Sequence, residues 1–113
     1  MASDPQFAQY VADQIGLPGR VDCRKMFGEF AIYLDGKVVA LVCDNQCFFR
    51  PTAAGRELLG ATVDRPPYPG AKPHFLIAEQ LEDQALVSQL AQATAAALPA
   101  PKPRKRRAPG SRR

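Results

Sequence analysis

The sequence predicts an α+β domain in which helices pack on one antiparallel sheet. Three observations carry that prediction. A capped amphipathic helix opens the chain, four short apolar runs separated by turn residues follow, and a long stretch with an apolar stripe ends at Pro99. In the first helix, Asp4 can accept hydrogen bonds from the orphan amides of a first turn, and Pro5 suits a first helical position, where its missing N–H costs nothing. Phe7, Tyr10, Val11 and Ile15 recur at spacings of three and four, which places them on one stripe. Gly16, Pro18 and Gly19 stop the helix.

The next thirty or so residues change period. Val21–Phe27, Glu29–Asp35, Lys37–Asp44 and Gln46–Arg50 are rich in β-branched and aromatic side chains, and their breaks fall at Gly28, Asp35-Gly36 and Asp44-Asn45. Asp-Gly between two apolar runs suits a type I′ turn, which needs positive φ at both central positions. The expected unit is a four-strand antiparallel meander. In its second strand Phe30, Ile32 and Leu34 alternate with Glu29, Ala31, Tyr33 and Asp35, so one face meets a core.

A short helix is expected at Ala53–Leu59, opened by Pro51-Thr52 and ended by Gly60. Three prolines in Arg65-Pro66-Pro67-Tyr68-Pro69-Gly70 exclude helix and central strand, leaving an ordered loop. A fifth strand is expected at His74–Ala78. Glu79–Leu98 reads as one long helix with its acids early and Leu81, Leu86, Leu90 and Ala93/Ala97 as its core stripe.

Charge divides the chain sharply. From Pro99 to Arg113 there are seven basic residues and no acid, whereas residues 1–98 hold eight basic residues against eleven acidic ones. The body is formally −3 and the tail +7, although the whole chain has a pI near 9.2. Residues 1–98 are expected to form one domain. The tail, residues 99–113, is expected to be disordered, because its prolines and self-repulsion oppose a packed structure. Lys102, Arg104, Lys105, Arg106, Arg107, Arg112 and Arg113 are the candidate nucleic-acid-binding residues, since phosphate contacts release condensed counterions. Without an aromatic in the tail there is no stacking platform, so it supplies affinity and little sequence choice.

The remaining composition excludes more than it assigns. No run approaches the ~18–20 apolar residues that span a bilayer. Met-Ala-Ser-Asp-Pro has no secretory n-region or h-region, and three irregularly spaced cysteines make no disulfide framework. A cytoplasmic setting is expected. Cys23, Cys43, Cys47 and His74 match a zinc site in number, but Cys43 and Cys47 flank a turn where strand positions alternate faces. Buried small-hydrophobe cysteine is the simpler reading, with a redox thiol as the remaining one. His74 has only Lys72 nearby as a chemical partner, so no general-base arrangement can be picked out. No catalytic set, metal or cofactor is expected.

The adjacent pair Phe48-Phe49 must point to opposite sheet faces in a regular strand. Either a helix covers the second face or one ring is available to a partner such as a second protomer, and a dimer contact is the expectation for one of them.

The stretch Arg24-Lys25-Met26-Phe27-Gly28-Glu29-Phe30-Ala31-Ile32-Tyr33-Leu34-Asp35-Gly36-Lys37 resembles the signature of the TfoX (Sxy) N-terminal domain, and Val38–Cys43 fits its following apolar strand. Lys72-Pro73-His74-Phe75-Leu76-Ile77 matches a later Lys-Pro element loosely. The glycine often found three residues after Met-Phe-Gly is Ala31 here, and a basic tail stands where two-domain members carry a helical C-terminal domain. The resemblance covers roughly Phe7 to Leu98. It implies a small α+β domain, similar to secretion-chaperone-like proteins that often dimerise, with no catalytic residue or cofactor.

The function expected from charge and resemblance is that of a non-enzymatic regulatory or accessory protein. It acts by binding: nucleic acid through the tail, and a protein partner or a second copy through the body. The family's link to transcription regulation and competence belongs to the two-domain members. The alternative is a chaperone-like homodimeric interaction module whose tail is only a solubility extension.

Overall fold

A computed structural model of the chain describes residues 3–26 and 28–98. Helix α1 spans Pro5–Ile15, strands β1–β4 span Val21–Met26, Glu29–Leu34, Lys37–Cys43 and Gln46–Phe49, and helix α2 spans Ala53–Leu59. Strands β5 (Asp64–Arg65) and β6 (His74–Ile77) follow, then a 3₁₀ turn over Glu79–Glu82 and helix α3, Gln84–Ala97. All strands form one sheet in the order β1-β2-β3-β4-β6-β5, with every pairing antiparallel. The fold is α+β, as the residue pattern predicts. The expected disordered segment 99–113 and Phe27, the last residue of the first expected strand, lie outside the described residues.

Local chemistry accounts for the element ends. The Asp4 side chain accepts from the Gln6 N–H at 2.9 Å and so caps α1. Asp35 and Gly36 have φ of +53° and +84°, and Asp44 and Asn45 have +54° and +56°. Both tight turns therefore carry the positive-φ pair that matches right-handed strand twist. The Asn45 side chain also accepts from the Asp4 N–H at 2.6 Å, tying the start of α1 to the β3–β4 turn. Gly28, at φ +82°, turns the chain between the paired Met26 and Glu29.

The helices cover one face of the sheet. Val11 and Ile15 of α1, Val87, Leu90 and Ala91 of α3, and Ile32, Leu34, Val42, Phe49, Phe75 and Ile77 of the strands share one core. A register shift between Ile32–Ala40 and Tyr33–Val38 lets the consecutive Val39 and Ala40 both enter it. Phe49 joins this core and Phe48 does not, so the pair does point to opposite faces. Phe48 is nevertheless only 2 % exposed, in a row between the half-buried Leu41 and Leu76. Neither ring is available as the expected dimer contact.

Two further differences follow from packing. The expected long helix is interrupted at Asp83, which adopts φ −95°, ψ 91° and caps α3 by accepting from the Leu86 N–H at 3.1 Å. That break resets the helical phase, so Val87, Leu90, Ala91, Thr94 and Ala95 face the core, while Leu86 is half-buried and Ala97 exposed. The second difference is β5, a sixth strand of two residues on the outer edge of β6. It stops at Pro66, which has no N–H to continue a ladder.

Helix α2 is held close by its lack of bulk. A Cβ on Gly55 would stand 2.9 Å from Thr52 Oγ1, 3.1 Å from Leu90 Cδ1 and 3.2 Å from Phe75 Cε2. Thr52 Oγ1 is itself the cap of that helix, accepting from the Gly55 N–H at 2.9 Å. Gly→Ala in an unobstructed helix stabilises by about 1 kcal/mol. Here Gly55→Ala is expected to destabilise by about 1–3 kcal/mol through overpacking. Urea denaturation checks this, and a higher midpoint for the variant would contradict the close approach.

Candidate nucleic-acid interface

The seven cationic tail residues named above lie outside the described residues, but the structure places the point from which they follow. The Lys37 ammonium donates to the carbonyls of Ala95 and Leu98 at 2.8 and 3.3 Å. It satisfies acceptors that a helix end leaves unpaired and complements the negative end of the helix dipole. Residue 98 is thereby fixed beside the start of β3. Because β3 and β4 are antiparallel, the end of β4 lies at this same edge of the sheet, where the Arg50 N–H donates to the Val39 carbonyl at 2.9 Å.

Three basic side chains of the folded body meet at that end. Arg65 of β5 is the direct cross-strand partner of His74 of β6. Arg50 lies one residue beyond the Phe49–Phe75 pair and so continues the same row on the other side of His74. Phe49 and Phe75 point to the helices, which leaves Arg50, His74 and Arg65 to the opposite face. Adjacent strands are about 4.8 Å apart, so the backbones of Arg50 and Arg65 are separated by about 10 Å. The His74 Nδ1 lies 2.8 Å from the Lys72 carbonyl, an acceptor that calls for a proton on Nδ1 and leaves Nε2 available to a ligand.

Ion pairing makes this row distinctive. Of the five arginines in residues 1–98, Arg20, Arg24 and Arg56 pair with Asp35, Asp22 and Asp64. Arg50 and Arg65 have no acidic partner among the described residues. Arg56 lies on the helix side, with its guanidinium 5.1 Å from the Phe75 ring centroid, and takes no part in the row. Arg20 and Asp35 are joined at 2.7 Å, and the guanidinium holds the Asp35 carboxyl below its ordinary range. Both side chains are about half exposed, so the pair adds little stability.

Acidic residues gather at the other end of the sheet. Asp4 meets Asn45, the Glu29 carboxylate accepts from the Asp44 N–H at 3.3 Å and from the Ser3 hydroxyl, and Asn45, Glu79 and Glu82 line one groove. These acids lie away from Arg50 and Arg65, and Asp22, Asp35 and Asp64, which share the arginines' end, are paired with Arg24, Arg20 and Arg56 respectively. Residue chemistry alone assigns phosphate contact to the tail, because Arg50, Arg65 and His74 are isolated in a segment of net negative charge. Only the β4–β6–β5 register brings them together.

The thiols do not converge. Cys47 faces the core, and Cys43, four residues back across the turn, faces the other side. Cys23 shares the core face with Cys47 but is three strand spacings away, about 14 Å. No cluster of three or more metal-ligating side chains occurs among the described residues. Burial pushes all three thiols above the ordinary cysteine range, most strongly for Cys47, and the carboxylates of Asp22 and Glu29 add to the effect at Cys23 and Cys43. None is favoured as the thiolate that redox or ligand chemistry requires.

A single antiparallel sheet backed by helices on one face defines the class as a small α+β domain. The chain belongs to the TfoX N-terminal domain family, whose family model matches residues 13–98. It is 47% identical over 105 residues to an uncharacterized 12.7 kDa protein in the trpE 5′ region of Spirochaeta aurantia, covering 93% of this chain and 91% of that protein. The family is not a known enzyme family. No helix among the described residues is long and apolar enough to cross a membrane.

Two expectations follow for the thiols. Under native conditions at pH 8, Cys23 reacts first with a thiol reagent, Cys43 slowly and Cys47 last, all more slowly than a free cysteine. In guanidinium chloride all three react together, and fast native modification of Cys47 would contradict its burial. An unfolded thiol ionises from about pH 8.5, whereas the folded Cys47 stays protonated well above this. Its contribution to stability is therefore complete below that pH and is lost as pH rises above it. Cys47→Ala should lower stability at neutral pH yet flatten its decline between about pH 8.5 and 10, as measured by urea midpoints.

Proposed function

We propose that this TfoX-family protein acts by binding, as a regulatory or accessory protein, and that its seven tail cations associate with nucleic-acid phosphates. The observation that carries the reading is the charge division: +7 over the fifteen residues after Leu98, without one acid, on a body of −3. A polyphosphate satisfies that density of cations through counterion release, and the contacts are sequence-tolerant. The position of Leu98 beside Lys37 supports it, because the tail follows from the end of the body where Arg50 and Arg65 stand without an acidic partner among the described residues. The folded domain then serves as the part that meets a protein partner or a second copy. Transcription regulation is a natural setting for such an assembly.

Fluorescence anisotropy of a labelled DNA duplex and an RNA oligomer tests this. The comparison is between the chain as it stands and a full-length variant in which the seven tail Lys/Arg residues are replaced by serine. The expected result is tight, salt-sensitive binding by the former, with a log–log salt slope near −6 if all seven charges engage a duplex. The variant is expected to lose roughly a hundredfold in affinity at 0.1 M salt without a change in Tm. Equal binding by the two chains would refute the role of the tail. No binding by either would favour the homodimeric interaction module with a solubilising extension.

A further inference from the structure

The geometry points to a second phosphate-binding site, on the folded body itself: we propose that Arg50, His74 and Arg65 form a row that grips a nucleic-acid sugar-phosphate backbone beside the tail. This rests on the nucleic-acid reading above and adds a structured contact to it.

A surface arginine near acids usually finds a partner, as Arg20, Arg24 and Arg56 do. Arg50 and Arg65 have no such partner among the described residues, and they stand on either side of the chain's single histidine. Asp64, the acid next to Arg65 in sequence, is turned to the helix side and bonded to Arg56 at 3.2 Å. The nearby carboxylates of Asp64 and Asp35 are thus already paired, with Arg56 and Arg20, within a body whose total charge is negative.

The spacing suits a chain of phosphates better than one anion. Two guanidinium groups rooted about 10 Å apart are placed to hold different phosphates of one strand, each through its fork of parallel N–H donors. With Nδ1 donating to the Lys72 carbonyl, the ring of His74 is oriented with Nε2 between them, and Nε2 donates to a phosphate oxygen in the imidazolium form, which carries a proton on both nitrogens. Lys72 is exposed and adds charge at the same end.

Position supplies a second, separate support. The row and Leu98 share one end of the sheet, so the tail cations and the row can engage one polyanion. Rigid strands hold the row in register, whereas the tail has no such scaffold in its sequence. A structured pair of phosphate contacts gives the bound duplex a fixed orientation relative to the body, which a sequence-tolerant tail cannot supply.

The test is anisotropy of the same labelled duplex with six full-length chains: wild type, the tail-neutralised variant, Arg50→Glu/Arg65→Glu with the tail intact, the same pair in the tail-neutralised chain, Arg50→Glu alone, and a Lys25→Glu control. Lys25 is an exposed cation on β1, without an ion pair among the described residues and four strands from β6, so Lys25→Glu matches the charge change of Arg50→Glu alone at a remote place. Arg50→Glu is therefore measured beside it. Binding by Arg50→Glu/Arg65→Glu should weaken at least tenfold at 0.1 M salt, with a salt slope shallower by about 2, one unit for each phosphate that is no longer held.

The tail-neutralised chain should keep weak binding with a slope near −2, one phosphate for each arginine, and the two arginine substitutions should remove it. Lys25→Glu should change affinity less than threefold. Equal losses for Lys25→Glu and Arg50→Glu would reduce the effect to net charge and overturn the site. Unchanged affinity and slope for Arg50→Glu/Arg65→Glu would overturn it and leave the tail reading intact. Full retention by the tail-neutralised chain would instead refute the tail while keeping the row. Circular-dichroism melting of the exposed arginine variants is expected to match wild type.

Discussion

The pairing of β6 between β4 and β5 is the contact on which the other features of this domain depend. It sets Phe75 opposite Phe49 and beneath α2, where Gly55 leaves room for the ring and for Leu90 of α3. A strand from late in the chain is thus joined to the early meander, and both later helices are locked to the sheet through one cluster of side chains. The same register decides the outer face. Because side chains alternate, the residues that follow or precede the buried phenylalanines must face away from the helices, and those residues are Arg50 and His74.

Charge is organised along the strand direction. Helix α3 begins at Asp83 near the acidic end and finishes at Leu98, where Lys37 bonds its last carbonyls. The helix dipole thus has its preferred partner at each terminus, an acid at the start and a cation at the finish. Acids concentrated around Asp4, Glu29, Asp44 and Glu79 leave the other end free for unpaired arginine. A domain with net negative charge therefore presents a basic edge, and the most basic part of the chain follows from that edge. Whole-protein charge and pI describe neither feature.

Much of the fold was legible in residue chemistry. Asp4-Pro5 marked the start of α1, the Asp35-Gly36 and Asp44-Asn45 turns marked the meander, and Thr52 with Gly60 bounded α2. These signals are local: a cap or a positive-φ turn depends on a few consecutive residues. The later half was read less well where two alternatives differ only through packing. Asp83 is an acid suited to either a first helical turn or a cap, and the interruption there shifted the core stripe of α3 from Leu86 and Ala97 to Val87, Ala91 and Ala95. Strand β5 has two residues, too few to show any period. Phe48 alternated as expected, but its burial depends on neighbours in two other strands.

The binding surface divides in the same way. The sequence by itself determined the cationic tail and the family to which Met26–Lys37 pointed, because each rests on composition or on contiguous residues. Only the tertiary structure decided which arginines of the body remain unpaired and that Arg50, His74 and Arg65 stand in one row. Those three residues are separated by loops, a helix and five prolines in the chain, and hydrogen-bond register across three strands is the only thing that makes them neighbours.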